Sequence, residues 1–374
     1  MAKNQYILGL NELGQSIWYD NLSRDVLSTG ELGRIIQSGV SGLTSNPTIF
    51  KQAIADTANY DGEIRALAGQ NLSTEAICEE LMVRDVAMAA DLLRPIYDAT
   101  TGGDGYASIE VSPYLARDAE GTLVAARRLW KKLDRPNIMI KIPATPEGLP
   151  AIRAALEEGM NVNITLIFSR EVHEQVLEQY LSALESRQSR GQDLRQIASV
   201  ASFFVSRVDA ICEKSFEALV KSGRASSDSL PHFQGRVGIA NSRLAYARYE
   251  EIVAGERFKA LARAGARVQR PLWASTGTKN PAFSPVLYVE ELAGKDTVNT
   301  VPPATLKALL AGMAVAPRLH QDRAQAAEVV KVVTGLGIPL PDLLRQLQNE
   351  GVQSFADSYR VLLESIEQKQ KVLG

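Results

Sequence analysis

The sequence predicts an α/β fold, a closed (β/α)8 barrel of the TIM type with additional helices. Short apolar segments recur along the chain, at 16–20, 39–46, 107–112, 137–144, 161–168, 199–207, 271–276 and 298–302, and helix-like stretches lie between them. Strands that alternate with helices pair in parallel. About eight such strands over roughly 300 residues favour a closed barrel over an open doubly wound sheet.

Taken in order, the first segment, SIWYD, is a short β-favouring run, and the second, GVSGLTSN, runs into Pro47. The long stretch 73–97 opens on Ser73, with Glu75 and Glu79 in its first turns. That is a helix N-cap followed by acidic residues that suit the helix dipole. The third segment, ASIEVS, is followed by the helical run 122–133, and the fourth, NIMIKIPA, and fifth, NVNITLIF, read as buried strands. After the sixth, SVASFFVSR, residues 208–269 are long for one connection and predict a helical insertion around the polar loop KSGRASSDSLPHFQGR. The segments PLWAST and VNTVP complete the barrel, and from about 317 to 374 the pattern is helical, broken by a turn at 335–341. The expected partition is one domain spanning 1–374.

Composition narrows the function. The 374 residues carry 41 basic and 43 acidic side chains, a formal net charge of -2, so nothing marks a nucleic-acid or anionic-membrane surface. The start lacks a basic region followed by an apolar one, and no stretch is long and apolar enough to span a bilayer, so a cytoplasmic protein without a membrane partner is expected. Cys78 and Cys212 are far from any metal or redox spacing and are expected to be reduced thiols, while His173, His232 and His320 are scattered.

Strand parity points to the chemistry. Successive side chains of a strand face opposite ways. In the fourth segment Ile138, Ile140 and Ile142 share one face, and Met139 and Lys141 the other. The isoleucines suit the outer helices, which places Lys141 inside the barrel. The same division turns Trp18 and Asp20, Thr44 and Asn46, Ser108 and Glu110, Asn163 and Thr165, and Ser202 and Phe204 inward, with Leu166 outward beside Val162 and Ile164. Buried polar groups are costly unless paired, and a polar interior at the strand C-termini is what a catalytic site requires. Singly, each residue also fits a structural role: Asn46 a turn, Asp20 a helix cap, Glu110 an ion-pair partner for Lys141.

A free lysine titrates near 10.4, so at neutral pH it is not a nucleophile. Bringing it to about 7 requires roughly 4.6 kcal/mol of bias against the ammonium, which burial can supply. A neutral amine then forms a Schiff base with a ketone, an electron sink for breaking or making a neighbouring C–C bond. Such chemistry needs carboxylates to move protons, and Asp20 and Glu110 are the inward ones. A phosphate grip is available in Arg207, just past SFFVS, and in the STGTKN loop, which offers Ser275 and Lys279.

These residues sit in motifs that resemble the transaldolases, of the class I aldolase type. GLTSNPTIF (42–50) is similar to the family's second-strand signature, and IMIKIPATPEGLPAI (138–152) to its Schiff-base lysine segment; NVNITLIFS, SFFVSRVD and ASTGTKNP extend the likeness over about 16–310. The resemblance is to the longer bacterial type. It implies transfer of a dihydroxyacetone unit from sedoheptulose 7-phosphate or fructose 6-phosphate to glyceraldehyde 3-phosphate or erythrose 4-phosphate, in the pentose phosphate pathway. It implies sugar-phosphate substrates, a monomer or homodimer, and no metal or organic cofactor. On this likeness Lys141 is the Schiff-base lysine and Asp20 the acid/base for the C4 hydroxyl, while Glu110 acts through a water with Thr165. Asn46 and Ser202 hold the dihydroxyacetone hydroxyls, Phe204 is an aromatic wall and Arg207 a phosphate ligand. Where shorter transaldolases carry a second phosphate-binding arginine, this chain reads STGTKN and offers Lys279, which keeps the charge without the bidentate fork. Two alternatives stand beside this reading: an enzyme like the fructose-6-phosphate aldolases, releasing free dihydroxyacetone, and a non-catalytic sugar-phosphate-binding barrel with Lys141 in a structural ion pair. The aldolases are shorter and carry tyrosine and glutamine where this chain has Phe204 and Glu110.

Overall fold

The computed structural model describes residues 3–55 and 57–373. Eight parallel strands close into a barrel in chain order: β1 (Gln15–Tyr19), β2 (Gly42–Leu43), β3 (Ala107–Glu110), β4 (Ile138–Pro143), β5 (Val162–Ile167), β6 (Ser199–Phe204), β7 (Arg270–Ala274) and β8 (Thr297–Val301). Pairing of β1 with β8, in the register Trp18 to Thr300, completes the ring. The expected (β/α)8 architecture is what the chain adopts.

Two layers of apolar side chains hold it. Outside the strands, Ile109, Ile138, Ile140, Ile142, Val162 and Ile164 are fully buried against the helices. Inside, Trp18, Met139, Val200, Leu272 and Val298 fill the lower barrel, so the interior is packed rather than open. Gly42 makes room for this filling: a Cβ there would lie 2.4 Å from the indole of Trp18. Below the indole, Asp104 accepts from Trp18 Nε1 at 2.7 Å and from the hydroxyls of Ser16 and Ser41, which closes the N-terminal end of the barrel with a satisfied polar cluster.

The local signals operate as their chemistry dictates. The Ser73 hydroxyl accepts from the Ala76 N–H and starts the helix Thr74–Ala99, and Asp118 caps Ala119–Leu133 in the same way. Three details differ from the strand pattern. The second segment forms a ladder only over Gly42–Leu43, because Asn46 Oδ1 caps the Ile49 N–H and Pro47 already opens the helix Pro47–Ala55. The sixth strand ends at Phe204, and Arg207 stands in the first turn of the helix Ser206–Lys221. Leu166 adopts φ +59, and the β5/β6 register shifts between Ile164 and Ile167. This bulge reverses parity, so Leu166 turns away from the outer layer and packs with the inner cluster, while Ile167 takes the outward place.

Between β6 and β7 the chain forms Ser206–Lys221, a 3-10 turn Ser227–His232, Val237–Val253 and Glu256–Arg263. After β8 come Pro303–Ala311, Arg323–Gly335 and a 34-residue helix, Leu340–Leu373. The last one carries Leu344, Leu347, Gly351, Phe355, Tyr359, Leu362 and Ile366 on one buried stripe. That stripe lies across the C-terminal mouth of the barrel, where Gln348 donates to the carbonyls of Ala144 and Leu166 and Ser358 bonds Thr48. Among the described residues no helix is long and apolar enough to cross a membrane.

Candidate active site

The inward polar residues reach the mouth from the C-terminal halves of their strands or from the turns just beyond them. Asp20, Thr44, Asn46, Lys141, Thr165, Ser202, Phe204, Arg207 and Ser275 line one cavity of about 180 Å3, closed above by Phe355. Of the ten site residues named from the sequence, Glu110 and Lys279 are outside this lining. Glu110 lies behind the lysine, its Oε2 3.1 Å from Lys141 Nζ, with both side chains buried. Lys279 lines a neighbouring groove instead.

Lys141 Nζ donates to the Ser45 carbonyl at 3.1 Å and stands 5.6 Å from the centre of the Phe355 ring. Its contact with Glu110 is a charge contact, and Glu110 Oε2 makes no hydrogen bond among the described residues. Burial pushes the Glu110 carboxyl above its ordinary range, and the Lys141 charge opposes that rise. Asp20 also rises, first because it is desolvated, with Lys141 and the 2.7 Å hydrogen bond from Thr44 Oγ1 acting against the shift. Thr44 Oγ1 is itself 2.6 Å from Thr300 Oγ1, so Asp20 is oriented by a hydroxyl pair across β2 and β8. Two carboxyls raised by burial, both within the field of one amine, are candidates for moving protons in this cavity.

The remaining residues present polar groups and an aromatic face to the cavity. Ser202 Oγ donates to Asn163 Oδ1 at 2.7 Å, and Asn163 Nδ2 donates to Ser108 Oγ at 3.0 Å, a chain that fixes the β6 hydroxyl. Asn46 spends its Oδ1 as a helix cap, while its amide N–H2 makes no hydrogen bond among the described residues and is free to donate. Thr165 Oγ1 is buried without a partner, an open hydroxyl facing the cavity. Phe204 stacks beneath Arg207, whose guanidinium is 5.2 Å from the ring centre. Ser275 holds φ +56, and its hydroxyl is 3.0 Å from that of Ser206. Non-glycine residues in this region of backbone space cost about 1–3 kcal/mol and cluster at functional sites; Ser275 lines the cavity, and Leu166 follows Thr165, which does.

The sequence did not reveal Phe355, Thr300 or that the helical C-terminal segment seals the mouth. Thr300 had a local signal, since its parity within VNTVP matches that of the other inward residues. Phe355 had only the periodic stripe of its helix, which says that a face is buried but not against what. Larger clefts lie elsewhere, one of about 550 Å3 between the helices Thr74–Ala99 and Ala119–Leu133, and the groove of about 670 Å3 beside Arg207. Cys78 and Cys212 are free, buried and remote from the cavity.

Known proteins are similar to this chain over nearly its whole length. Residues 17–366 match the family described as Transaldolase/Fructose-6-phosphate aldolase. The chain is 47% identical over 366 residues to the transaldolase of Thermobifida fusca, covering 96% of this chain and 97% of that one. It is 46% identical over 371 residues to the transaldolase of Saccharopolyspora erythraea, with 99% of each covered, and 44% identical over 375 residues to transaldolase 2 of Nostoc punctiforme, with 99% of this chain and 98% of the relative covered. The barrel, its buried lysine near two raised carboxyls, and this near-full-length similarity make the chain a member of the transaldolase/fructose-6-phosphate aldolase family.

Proposed function

We propose that the protein is a transaldolase, moving a dihydroxyacetone unit between sugar phosphates through a Schiff base on Lys141, as expected of an enzyme of the pentose phosphate pathway. The observation that carries this is the burial of one amine with Glu110 3.1 Å away and Asp20 in the same cavity. Glu110, with its carboxyl raised by burial, takes the proton that Lys141 must lose before its nitrogen attacks the C2 carbonyl of the ketose. The carbinolamine then loses water, with a water molecule held between Glu110 and the open Thr165 hydroxyl as the proton carrier. Asp20, oriented by Thr44, removes the C4 hydroxyl proton as the C3–C4 bond breaks, and the electron pair passes into the iminium. The aldehyde leaves, the enamine adds to the acceptor aldehyde, Asp20 returns the proton, and hydrolysis frees Lys141. Asn46 and Ser202 hold the hydroxyls of the retained unit, Phe204 forms its wall, and Arg207, Ser275 and Lys279 attend to the phosphate end.

Borohydride reduction in the presence of fructose 6-phosphate, followed by peptide mass analysis, tests this directly. A dihydroxyacetone-derived adduct on Lys141 is expected, and a wild-type enzyme without one excludes the mechanism. Lys141→Arg keeps the buried charge pair without a nucleophile and is expected to lose both adduct and turnover. Lys141→Ala is the poorer control, because it leaves Glu110 buried without its partner, a loss of about 3–5 kcal/mol where such a carboxylate stays ionised. The aldolase alternative predicts stoichiometric ketose cleavage without an acceptor aldehyde. Phe204 and Glu110 stand against it, since the resemblance places tyrosine and glutamine there in those enzymes.

A further inference from the structure

The catalytic cavity, about 180 Å3, is smaller than the roughly 300–1,000 Å3 of an ordinary ligand pocket. A six- or seven-carbon ketose phosphate held at Lys141 must therefore extend beyond it. Among the lining residues, Arg207 is shared between this cavity and the adjoining groove of about 670 Å3. The groove runs between the helix Ser206–Lys221 and the helix Leu340–Leu373, with Lys279 at its edge. Lys214 lies seven residues after Arg207 on the first helix, two turns on and on the same face, about 10 Å along the axis.

Arg207, Lys214 and Lys279 all line this groove, yet none has a carboxylate within 4.0 Å among the described residues, although ion pairs cover much of the surface. Glu350 is the acidic residue of the lining. Three cations facing a single carboxylate, and paired with none, in a cleft opening from the catalytic cavity form a site for an anion that arrives with the substrate. We propose that Lys214 is a further phosphate-binding residue, and that the phosphorylated end of the sugar leaves the catalytic cavity past Arg207 into this groove, between Lys214 and Lys279. This rests on the placing of substrate at Lys141 and Arg207. It makes Lys214 a determinant of selectivity for phosphorylated over plain ketoses, with the C-terminal helix as the opposite wall.

The test has two arms. In steady-state kinetics, Lys214→Gln is expected to lower the ratio of kcat/KM for fructose 6-phosphate to that for fructose about tenfold, with Lys214→Arg restoring most of it. In calorimetric titration, inorganic phosphate is expected to bind the wild type and to bind Lys214→Gln about tenfold more weakly, increasingly so at low salt. An unchanged ratio, or an equal loss on both ketoses, overturns the role of Lys214, as does unchanged phosphate affinity. The phosphate titration needs no turnover, so failure of the Schiff-base reading appears separately, as a missing borohydride adduct on the wild-type protein.

Discussion

The centre of the Phe355 ring lies 5.6 Å from Lys141 Nζ, so the C-terminal helix supplies a wall of the cavity into which β4 carries Lys141. Phe355 is buried at 4% exposure, and Gly351, one turn earlier, lets the helix approach: a Cβ there would meet the Leu166 side chain at 2.8 Å. The ring excludes water from the amine, and in doing so strengthens every charge interaction beneath it.

Removing that wall should separate stability from chemistry. Phe355→Ala is expected to cost about 3–5 kcal/mol of folding free energy and to slow borohydride trapping of the Lys141 adduct by tenfold or more. Phe355→Leu should recover most of the stability and most of the trapping rate. Trapping at the wild-type rate in Phe355→Ala would show that the ring serves packing alone.

The hydroxyl of Thr44 is placed to tune Asp20. Its 2.7 Å hydrogen bond favours the carboxylate, opposing the rise caused by burial. Thr44→Val keeps the shape and removes the donor, so the Asp20 carboxyl should rise further. The acid limb of the kcat profile, which reports a base that must be ionised, should then move to higher pH. A profile identical to that of the wild type would remove Asp20 from that limb.

Gly42 is required by packing rather than by backbone freedom. A methyl group there would meet the Trp18 indole at 2.4 Å, and the indole is held by its hydrogen bond to Asp104. Gly42→Ala is expected to destabilise by about 1–3 kcal/mol, the range for overpacking a filled core. Chemical denaturation measures this, and an unchanged midpoint at unchanged slope would refute it.

His173 links folding to acid. Complete desolvation lowers its imidazole from 6.5 to about 4, so between those values the unfolded chain binds a proton that the folded one refuses. Stability from this group is therefore intact above about 6.5 and is lost as pH falls towards 4, by about 3 kcal/mol in all. His173→Phe should flatten that part of the stability profile, and equal acid sensitivity in the variant would contradict the assignment.

The barrel, and most of the residues that line its mouth, were legible in the sequence, because both follow from local geometry. A period of two divides each strand into an outer and an inner face, and polar residues on the inner face of NIMIKIPA, NVNITLIF and ASIEVS have only the barrel mouth to occupy. The motif likeness added roles to Lys141, Asp20 and Glu110. Tertiary structure decided what local geometry does not contain. Leu166 escaped its parity because a single residue in the left-handed region resets the register, and nothing in NVNITLIF announces it. The ending of β6 before Arg207 moved that arginine onto a helix, where the seven-residue spacing to Lys214 becomes one face of a groove. Lys279 joined that groove rather than the catalytic cavity. Phe355 reached Lys141 because a 34-residue helix crosses the mouth, and an apolar stripe specifies burial without specifying the partner.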